Sequence, residues 1–301
     1  MEPRVKPRGG MTEARVRRLV VFGCGYSARR FVELYGSRFA AIDATSRSAD
    51  GAAALAAGGL MAHVFDGTET TPALAAAISS ATHVLVSAAP GEAGDPTLRG
   101  AGEALEAASN IEWVGYLSTI GVYGDADGGW VSEDTLPAPE NERGMRRVEA
   151  EADWIDFGRR KGVAAQVFRL AGIYGPGRSA VENLRAGTAR RLVKPGQVFN
   201  RIHVDDIAAA VAAGIERPEV GPLVNVTDNE PAAPQDVVAY AAGLLSLPVP
   251  PDIPFETADL SPMARSFYSS NKRVSNARLR EALGVTLTFP TYREGIAALA
   301  R

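Results

Sequence analysis

Three residues at fixed spacing carry the clearest chemistry in the chain: Gly23, Gly25 and Ala28, in the run GCGYSA. They follow the apolar run Arg18 to Phe22 and precede a helix predicted over Arg29 to Tyr35. The first glycine of such a motif permits a tight turn, and the second lets backbone N–H groups approach a pyrophosphate. A small third residue lets the helix pack closely on its strand, and the helix N-terminus adds partial positive charge there. Gly23, Gly25, Tyr26, Ser27 and Ala28 are therefore expected to cradle a dinucleotide; a plain strand-to-helix turn is the alternative.

The end of the second strand reads the adenosine ribose in such sites: a carboxylate favours a free 2′-hydroxyl, an arginine a 2′-phosphate. Here that strand runs into Thr45, Ser46, Arg47 and Ser48. Ser46 and Arg47 form a candidate phosphate clamp and point to NADP. Asp43, about 20 residues beyond the glycines, is the rival that would favour NAD. Asp66, after strand three, either meets the adenine amino group or caps the next helix. Ala88, Ala89 and Pro90 suit close passage of the cofactor's middle. Cys24 is read as a small loop residue.

The elements that must position these groups alternate strand and helix, the pattern of a parallel sheet covered by helices. Strands are expected at Arg18–Phe22, Phe39–Thr45, Met61–Phe65, Thr82–Ala88, Glu112–Ser118, Ala164–Leu170 and Pro222–Val226. Helices are expected through Ala52–Ala57, Leu98–Ser109, Val148–Lys161, Asp206–Glu216, Pro234–Leu245 and Asn276–Leu283. Asp205 or Asp206 is expected to cap the helix that begins there, and Gly284 to close the last of them. The fold class is thus α/β, a Rossmann-like doubly wound parallel sheet with a small C-terminal substrate-binding lobe. Residues 1–12 read as a disordered extension, with a second start at Met11. Residues 13–175 and 199–228 form the Rossmann domain, and 176–198 and 229–301 the small lobe.

The chain has 301 residues, 46% hydrophobic and 22% charged, with a formal net charge of −3. That balance is ordinary for a globular protein and gives no electrostatic case for nucleic acid or an anionic membrane. No apolar run reaches the length of a membrane span, and no signal-peptide core follows the basic head. The lone cysteine, Cys24, excludes an intramolecular disulfide, and His63, His83 and His203 show no ligand spacing. A cytoplasmic protein without a metal is expected.

Several segments carry a resemblance over about Arg17 to Leu299. They are Tyr116 to Asp125 (YLSTIGVYGD), Arg169 to Gly177 (RLAGIYGPG), Arg201 to Asp206 (RIHVDD), Asn225 to Asp228 (NVTD), and Asn271 to Asn276 with Tyr292 to Gly295. In that order they resemble the extended short-chain dehydrogenase/reductases of the NAD-dependent epimerase/dehydratase family. The resemblance implies hydride transfer between a nicotinamide and a secondary alcohol or ketone. A tyrosine exchanges the proton, a lysine four residues later lowers its pKa and holds the ribose, and a Ser or Thr steadies the substrate oxygen. Thr119 takes the Ser/Thr position, with Ser118 beside it. Arg143 and Arg147 stand where the tyrosine and lysine are expected, and no tyrosine lies between Tyr123 and Tyr174. The chain thus resembles an atypical subgroup lacking the Tyr-x-x-x-Lys motif. Arginine holds its proton at neutral pH, so Arg147 keeps only the binding half of the lysine's work.

The resemblance places the substrate over the carboxyl ends of the strands, where ligands bind in doubly wound sheets. Tyr123, Tyr174, Arg178, Arg201 and His203 are the candidate contacts, with structural roles open for the tyrosines and for His203. Arginine suits phosphate through two parallel hydrogen bonds. Two functions stay open. One is an NADP-dependent oxidoreductase or epimerase/dehydratase-like enzyme acting on a small polar or nucleotide-linked molecule. The other is a non-catalytic NADP(H)-binding sensor. Relatives pair through the helices around Leu98–Ser109 and Val148–Lys161, so a homodimer is a family-level expectation.

Overall fold

The computed structural model describes residues 16–301; the expected extension over residues 1–12, and Met11, lie outside the described residues. Seven strands form one parallel sheet: β1 (Arg18–Phe22), β2 (Ala41–Ser46), β3 (Met61–Val64), β4 (His83–Val86), β5 (Trp113–Thr119), β6 (Ala164–Leu170) and β7 (Leu223–Val226). Their spatial order is β7-β6-β5-β4-β1-β2-β3, with β1 pairing β2 on one side and β4 on the other. The chain direction across the sheet therefore reverses between β1 and β4, which opens a crevice at their carboxyl ends.

Each central strand is apolar on both faces because helices cover both. Leu19 and Val21 of β1 join one core with Leu85, Leu117 and Phe168. Val20 and Phe22 join the other with Val84, Tyr116 and Val167. The period of two in these strands thus builds two cores from one sheet. Helices α1 (Tyr26–Tyr35), α2 (Ala49–Ala57) and α7 (Val204–Glu216) close the first core through Phe31, Leu55 and Val211. Helices α3 (Pro72–Ser80), α4 (Pro96–Ala107) and α5 (Glu142–Lys161) close the second through Leu74, Leu105 and Trp154. A Rossmann-like α/β fold results, as the strand pattern predicts.

The remaining helices are α6 (Ala180–Arg185), α8 (Pro234–Leu244), α9 (Pro262–Ser266) and α10 (Tyr292–Ala300). Helices α6, α8 and α10 pack on a separate apolar cluster containing Tyr174, Val181, Val237, Tyr292 and Ile296. Among the described residues no helix is long and apolar enough to cross a membrane. The outward faces of α4 and α5 carry ion pairs such as Arg160–Glu106 and Arg159–Asp156.

Several boundaries differ from the sequence reading. Helix α5 starts at Glu142, six residues before Val148, with the Asn141 side chain accepting from the Gly144 amide at 2.9 Å. Its first turns carry Arg143, Gly144 and Arg146 instead of an apolar repeat, so periodicity misses them. Helix α7 is capped by His203, whose side chain accepts from the Asp205 amide, and not by Asp205 or Asp206. Asp206 is fully buried and accepts from the amides of Thr288 and Phe289 at 2.7 and 3.1 Å, which ties the C-terminal segment to α7. The helix expected over Asn276–Leu283 is a single π turn, Arg278–Ala282, with Gly284 left-handed (φ +70°) after it.

Candidate functional site

The loop between β1 and α1 is held from beneath by β2. The Gly23 amide donates to Thr45 Oγ1 at 2.9 Å and the Cys24 amide to the Thr45 carbonyl at 3.0 Å. Gly23 is left-handed (φ +78°), and a β-carbon there would stand 2.9 Å from the Ala88 nitrogen. Glycine is thus required at 23 twice over, by conformation and by the β4 exit. The β4 exit is itself tied down, since the Ser87 and Ala88 amides both donate to the Phe22 carbonyl.

Gly25 differs. Its backbone is extended (φ −87°, ψ −159°), and the nearest atom to an added β-carbon is 3.9 Å away. Nothing in the protein demands a glycine there. The Gly25 amide turns back to the Gly23 carbonyl at 2.7 Å, which leaves the first amides of α1, from Tyr26 on, without intrahelical acceptors beside that open space, and this suits an anionic group brought close to the backbone. The loop therefore fits a pyrophosphate.

Around this loop the candidate cofactor residues take distinct places. Ser27 and Ala28 are buried in the first turn of α1, and exposed Tyr26 donates from its hydroxyl to the Pro176 carbonyl at 3.0 Å. Arg178 lies over the Tyr26 ring, 5.9 Å from its centre, so the Gly175 to Arg178 turn is latched to the glycine loop. Ser46 ends β2, and Arg47 just beyond it is exposed and has no hydrogen-bond or ion-pair partner among the described residues. Asp43 lies three residues before the strand's end, buried, with His63 Nε2 2.7 Å from its carboxylate. Asp66 does not cap the next helix: it accepts from the amide and hydroxyl of Thr68, and Thr71 caps α3. Ala88, Ala89 and Pro90 line the β4 exit.

Next to this crevice, β5 ends at Thr119, whose hydroxyl caps the following turn by accepting from the Gly121 amide at 3.1 Å. Thr119 is part-exposed at the carboxyl edge, whereas Ser118 points inward. Ser118 donates to Glu151, which forms a buried ion pair with Arg169 at 2.7 Å. That commitment leaves the Ser118 hydroxyl unavailable to the crevice. Arg147 donates to the Leu117 carbonyl at 2.8 Å and to the Tyr116 hydroxyl at 3.0 Å, so it braces β5 from α5. Arg143 is exposed and without a partner among the described residues.

The tyrosines near these groups are committed elsewhere. Tyr123 donates to Asn225 at 2.7 Å beneath the Arg169 guanidinium. Tyr174 donates to the Thr291 carbonyl at 3.4 Å and packs where a Gly295 side chain would otherwise sit. Burial raises the pKa of Tyr116, Tyr123 and Tyr174 alike. Arg201 donates to the carbonyls of Phe199 and Ala232, and burial lowers its pKa. His203 sits between the rings of Tyr174 and Phe289, and burial lowers its pKa. Arg178 thus flanks the glycine loop and Tyr123 and His203 are packed into the protein, while Tyr174 and the half-buried Arg201 line a cavity with Asn183, Arg190 and Tyr292. Among the described residues no group of three or more His, Cys, Asp or Glu could hold a metal ion.

Sequence reasoning passed over two residues. Thr45 reads only as one of the hydroxyls at the end of β2, and its anchoring of the glycine loop is a tertiary contact that its place in the strand does not mark. Lys272 reaches the Gly124 carbonyl at 2.6 Å from a distant segment, and burial lowers its pKa; the resemblance marks its segment, Asn271 to Asn276, but not its role.

No family model matches the chain. A solved structure of a conserved protein of unknown function from Silicibacter pomeroyi DSS is 47% identical, with a TM-score of 0.84, covering 95% of this chain and 98% of that one. A candidate NAD-dependent epimerase/dehydratase from Methylobacillus flagellatus is 27% identical, with a TM-score of 0.71, covering 94% of this chain and 97% of that one. The chain shares the extended short-chain dehydrogenase/reductase fold of solved NAD-dependent epimerase/dehydratase structures. Its extended short-chain dehydrogenase/reductase fold thus runs the full length of these relatives. A 3-diazoavenalumate denitrifying reductase from Streptomyces is 29% identical over 189 residues, 58% of this chain and 56% of the reductase. The chain spans about half the length of the curated relatives it matches.

Proposed function

We propose that the chain is an NADP-dependent oxidoreductase, or an epimerase/dehydratase-like enzyme, acting on a small polar or nucleotide-linked substrate in the cytoplasm. One observation carries this reading: Gly25 is a glycine for which the protein itself has no need, at a helix start beside the β1–β4 crevice. A diphosphate arriving there supplies the need. The nearby reductase relative supports hydride-transfer chemistry, and the exposed, unpaired Arg47 beside Ser46 supports a 2′-phosphate over a bare ribose.

When bound, a nicotinamide dinucleotide supplies the hydride. The first amides of α1, from Tyr26 on, would hold its diphosphate over the glycine loop, and Ser46 with Arg47 its adenosine end. Ala88, Ala89 and Pro90 would pass along its middle. Thr119 would steady the substrate oxygen at the carboxyl edge of β5. Arg147 would keep β5 in place and present its remaining N–H groups to the ribose side. Arg143 adds a cation near the entrance, which suits an anionic substrate.

A second reading has its own observation. Tyr116, Tyr123 and Tyr174 all have committed, buried hydroxyls, so the family's usual acid has no stand-in among them. Loss of a general acid forfeits about 10²–10⁴ in rate. A nucleotide sensor that turns over nothing is consistent with that arrangement. The two readings separate in one assay: NADPH oxidation followed by absorbance across a panel of ketones, aldehydes and nucleotide sugars. Turnover that falls in Thr119→Ala establishes the enzyme. Saturable NADPH binding without oxidation anywhere in the panel establishes the sensor.

A further inference from the structure

A second cavity, of about 330 Å³, opens beyond β7 at the free edge of the sheet. It lies three strand spacings from the β1–β4 crevice, about 14 Å, and shares no residue with it. Its walls are Trp130, Asp228, Asn229, Val274, Ser275, Asn276 and Arg280. The short strand Trp130–Val131 pairs with Arg273–Val274 and fixes the indole at the rim, 65% exposed.

Asp228 is the unusual member. It is 1% exposed; its Oδ1 accepts from the Glu230 amide at 3.1 Å, and its Oδ2 is buried with no hydrogen-bond partner. The Arg201 guanidinium supplies a nearby positive charge but gives its hydrogen bonds to the Phe199 and Ala232 carbonyls, so the oxygen still lacks a donor, which is costly unless something supplies one. The other polar walls offer mostly donors. Arg280 gives its Nε to Asn276 Oδ1 and is otherwise half-exposed, with Glu281 no nearer than 3.8 Å. Asn229 accepts from Asn276 through its Oδ1, and its amide nitrogen has no partner among the described residues.

Those groups define their complement. A ligand must bring one donor, preferably cationic, to Asp228, and an acceptor, preferably anionic, to Arg280 and Asn229. A dianion would be opposed by Asp228 and a dication by Arg280. The exposed indole supplies an apolar face for the remainder, and its ring also favours a nearby ammonium. The space equals roughly eleven waters at about 30 Å³ each, enough for a molecule of amino-acid size. We propose that this cavity binds a free α-amino acid, its ammonium on Asp228 and its carboxylate on Arg280, with the side chain against Trp130. Burial raises the Asp228 carboxyl to about 7, and an ammonium partner would bring it down again. The site is independent of the nicotinamide reading.

Trp130 is also the reporter, because Trp113 and Trp154 are buried in the cores at 2% and 0% exposure. The full chain is first screened by thermal shift with each of the twenty standard L-amino acids at about 10 mM, well above a weak site's dissociation constant. The best binder is then titrated by tryptophan emission and by calorimetry. We expect a saturable signal that weakens at least about tenfold in Asp228→Asn and in Arg280→Gln. The same loss is expected when the ligand's amine is acetylated. Trp130→Phe should abolish the optical change while calorimetric heat remains. Arg280 is half-exposed, so its variant tests the site even if Asp228→Asn folds poorly. No shift with any amino acid, or equal binding to Arg280→Gln and wild type, would overturn the assignment.

Discussion

Glu151 and Arg169 pair at 2.7 Å inside the protein, their side chains 4% and 3% exposed, with the Ser118 hydroxyl on the same carboxylate. This pair, reaching from α5 to β6, is what removes Ser118 from the crevice. Breaking a buried pair strands the surviving charge, so Glu151→Ala should cost about 3–5 kcal/mol in urea unfolding. Ser118→Ala loses one hydrogen bond and should cost about 1 kcal/mol. It should leave nucleotide affinity unchanged; a large affinity loss in Ser118→Ala would return that hydroxyl to the site.

Thr119 is the neighbouring hydroxyl left at the edge. Thr119→Ala should keep NADPH affinity within about threefold while turnover falls by 10² or more, the scale of a lost transition-state contact. Thr119→Ser should restore most of the rate. Parallel losses in affinity and rate would mark Thr119 as a mere cap of the Ile120–Tyr123 turn.

Arg47 decides the cofactor. Its guanidinium has no partner to abandon, so Arg47→Ala should leave the melting temperature unchanged. NADPH should bind at least about tenfold more weakly, the loss of one charge-assisted contact, while NADH changes little. Equal losses for both, or a wild type that prefers NADH, would contradict the clamp.

Asp228 sets a pH dependence. Its folded pKa is raised to about 7 by burial, so the folded protein keeps a proton that the unfolded chain releases from about pH 4 upward. Stability from this group is fully present below the unfolded value and lost as pH rises through 7. Asp228→Asn abolishes the effect. Relative to wild type, it should gain roughly 2–3 kcal/mol between pH 5 and pH 8, at about 1.4 kcal/mol per unit over the sloping part. Denaturant curves at the two pH values check this; a constant difference would contradict it.

The sheet was legible because Leu19 to Phe22 and Val84 to Val86 are continuous apolar runs, and a two-sided parallel sheet buries such runs. The glycine loop was legible because its spacing sits between a strand and a helix. Burial of polar groups was not. Asp206 looked like a helix cap from its position, yet its partners, Thr288 and Phe289, are over eighty residues away in sequence. Ser118 and Thr119 are adjacent and chemically alike, and only the pleat sends one to Glu151 and leaves the other at the edge. Tyr123 and Tyr174 were candidates by type, but their hydroxyls find Asn225 and Thr291 through tertiary contacts no local pattern encodes.

The central claim is that the amides beside Gly25 receive a diphosphate, and one substitution isolates it. Gly25→Asp suits the extended backbone and is a favoured residue at a helix start, while its charge opposes a phosphate. Calorimetry with NADPH and NADH on both proteins, alongside their melting curves, is the decisive measurement. The expected result is one saturable site in the wild type, and a variant that melts at the same temperature or higher but binds at least about 100-fold more weakly. A wild type that registers neither nucleotide at millimolar concentration, or a variant that binds as tightly as wild type, would contradict it.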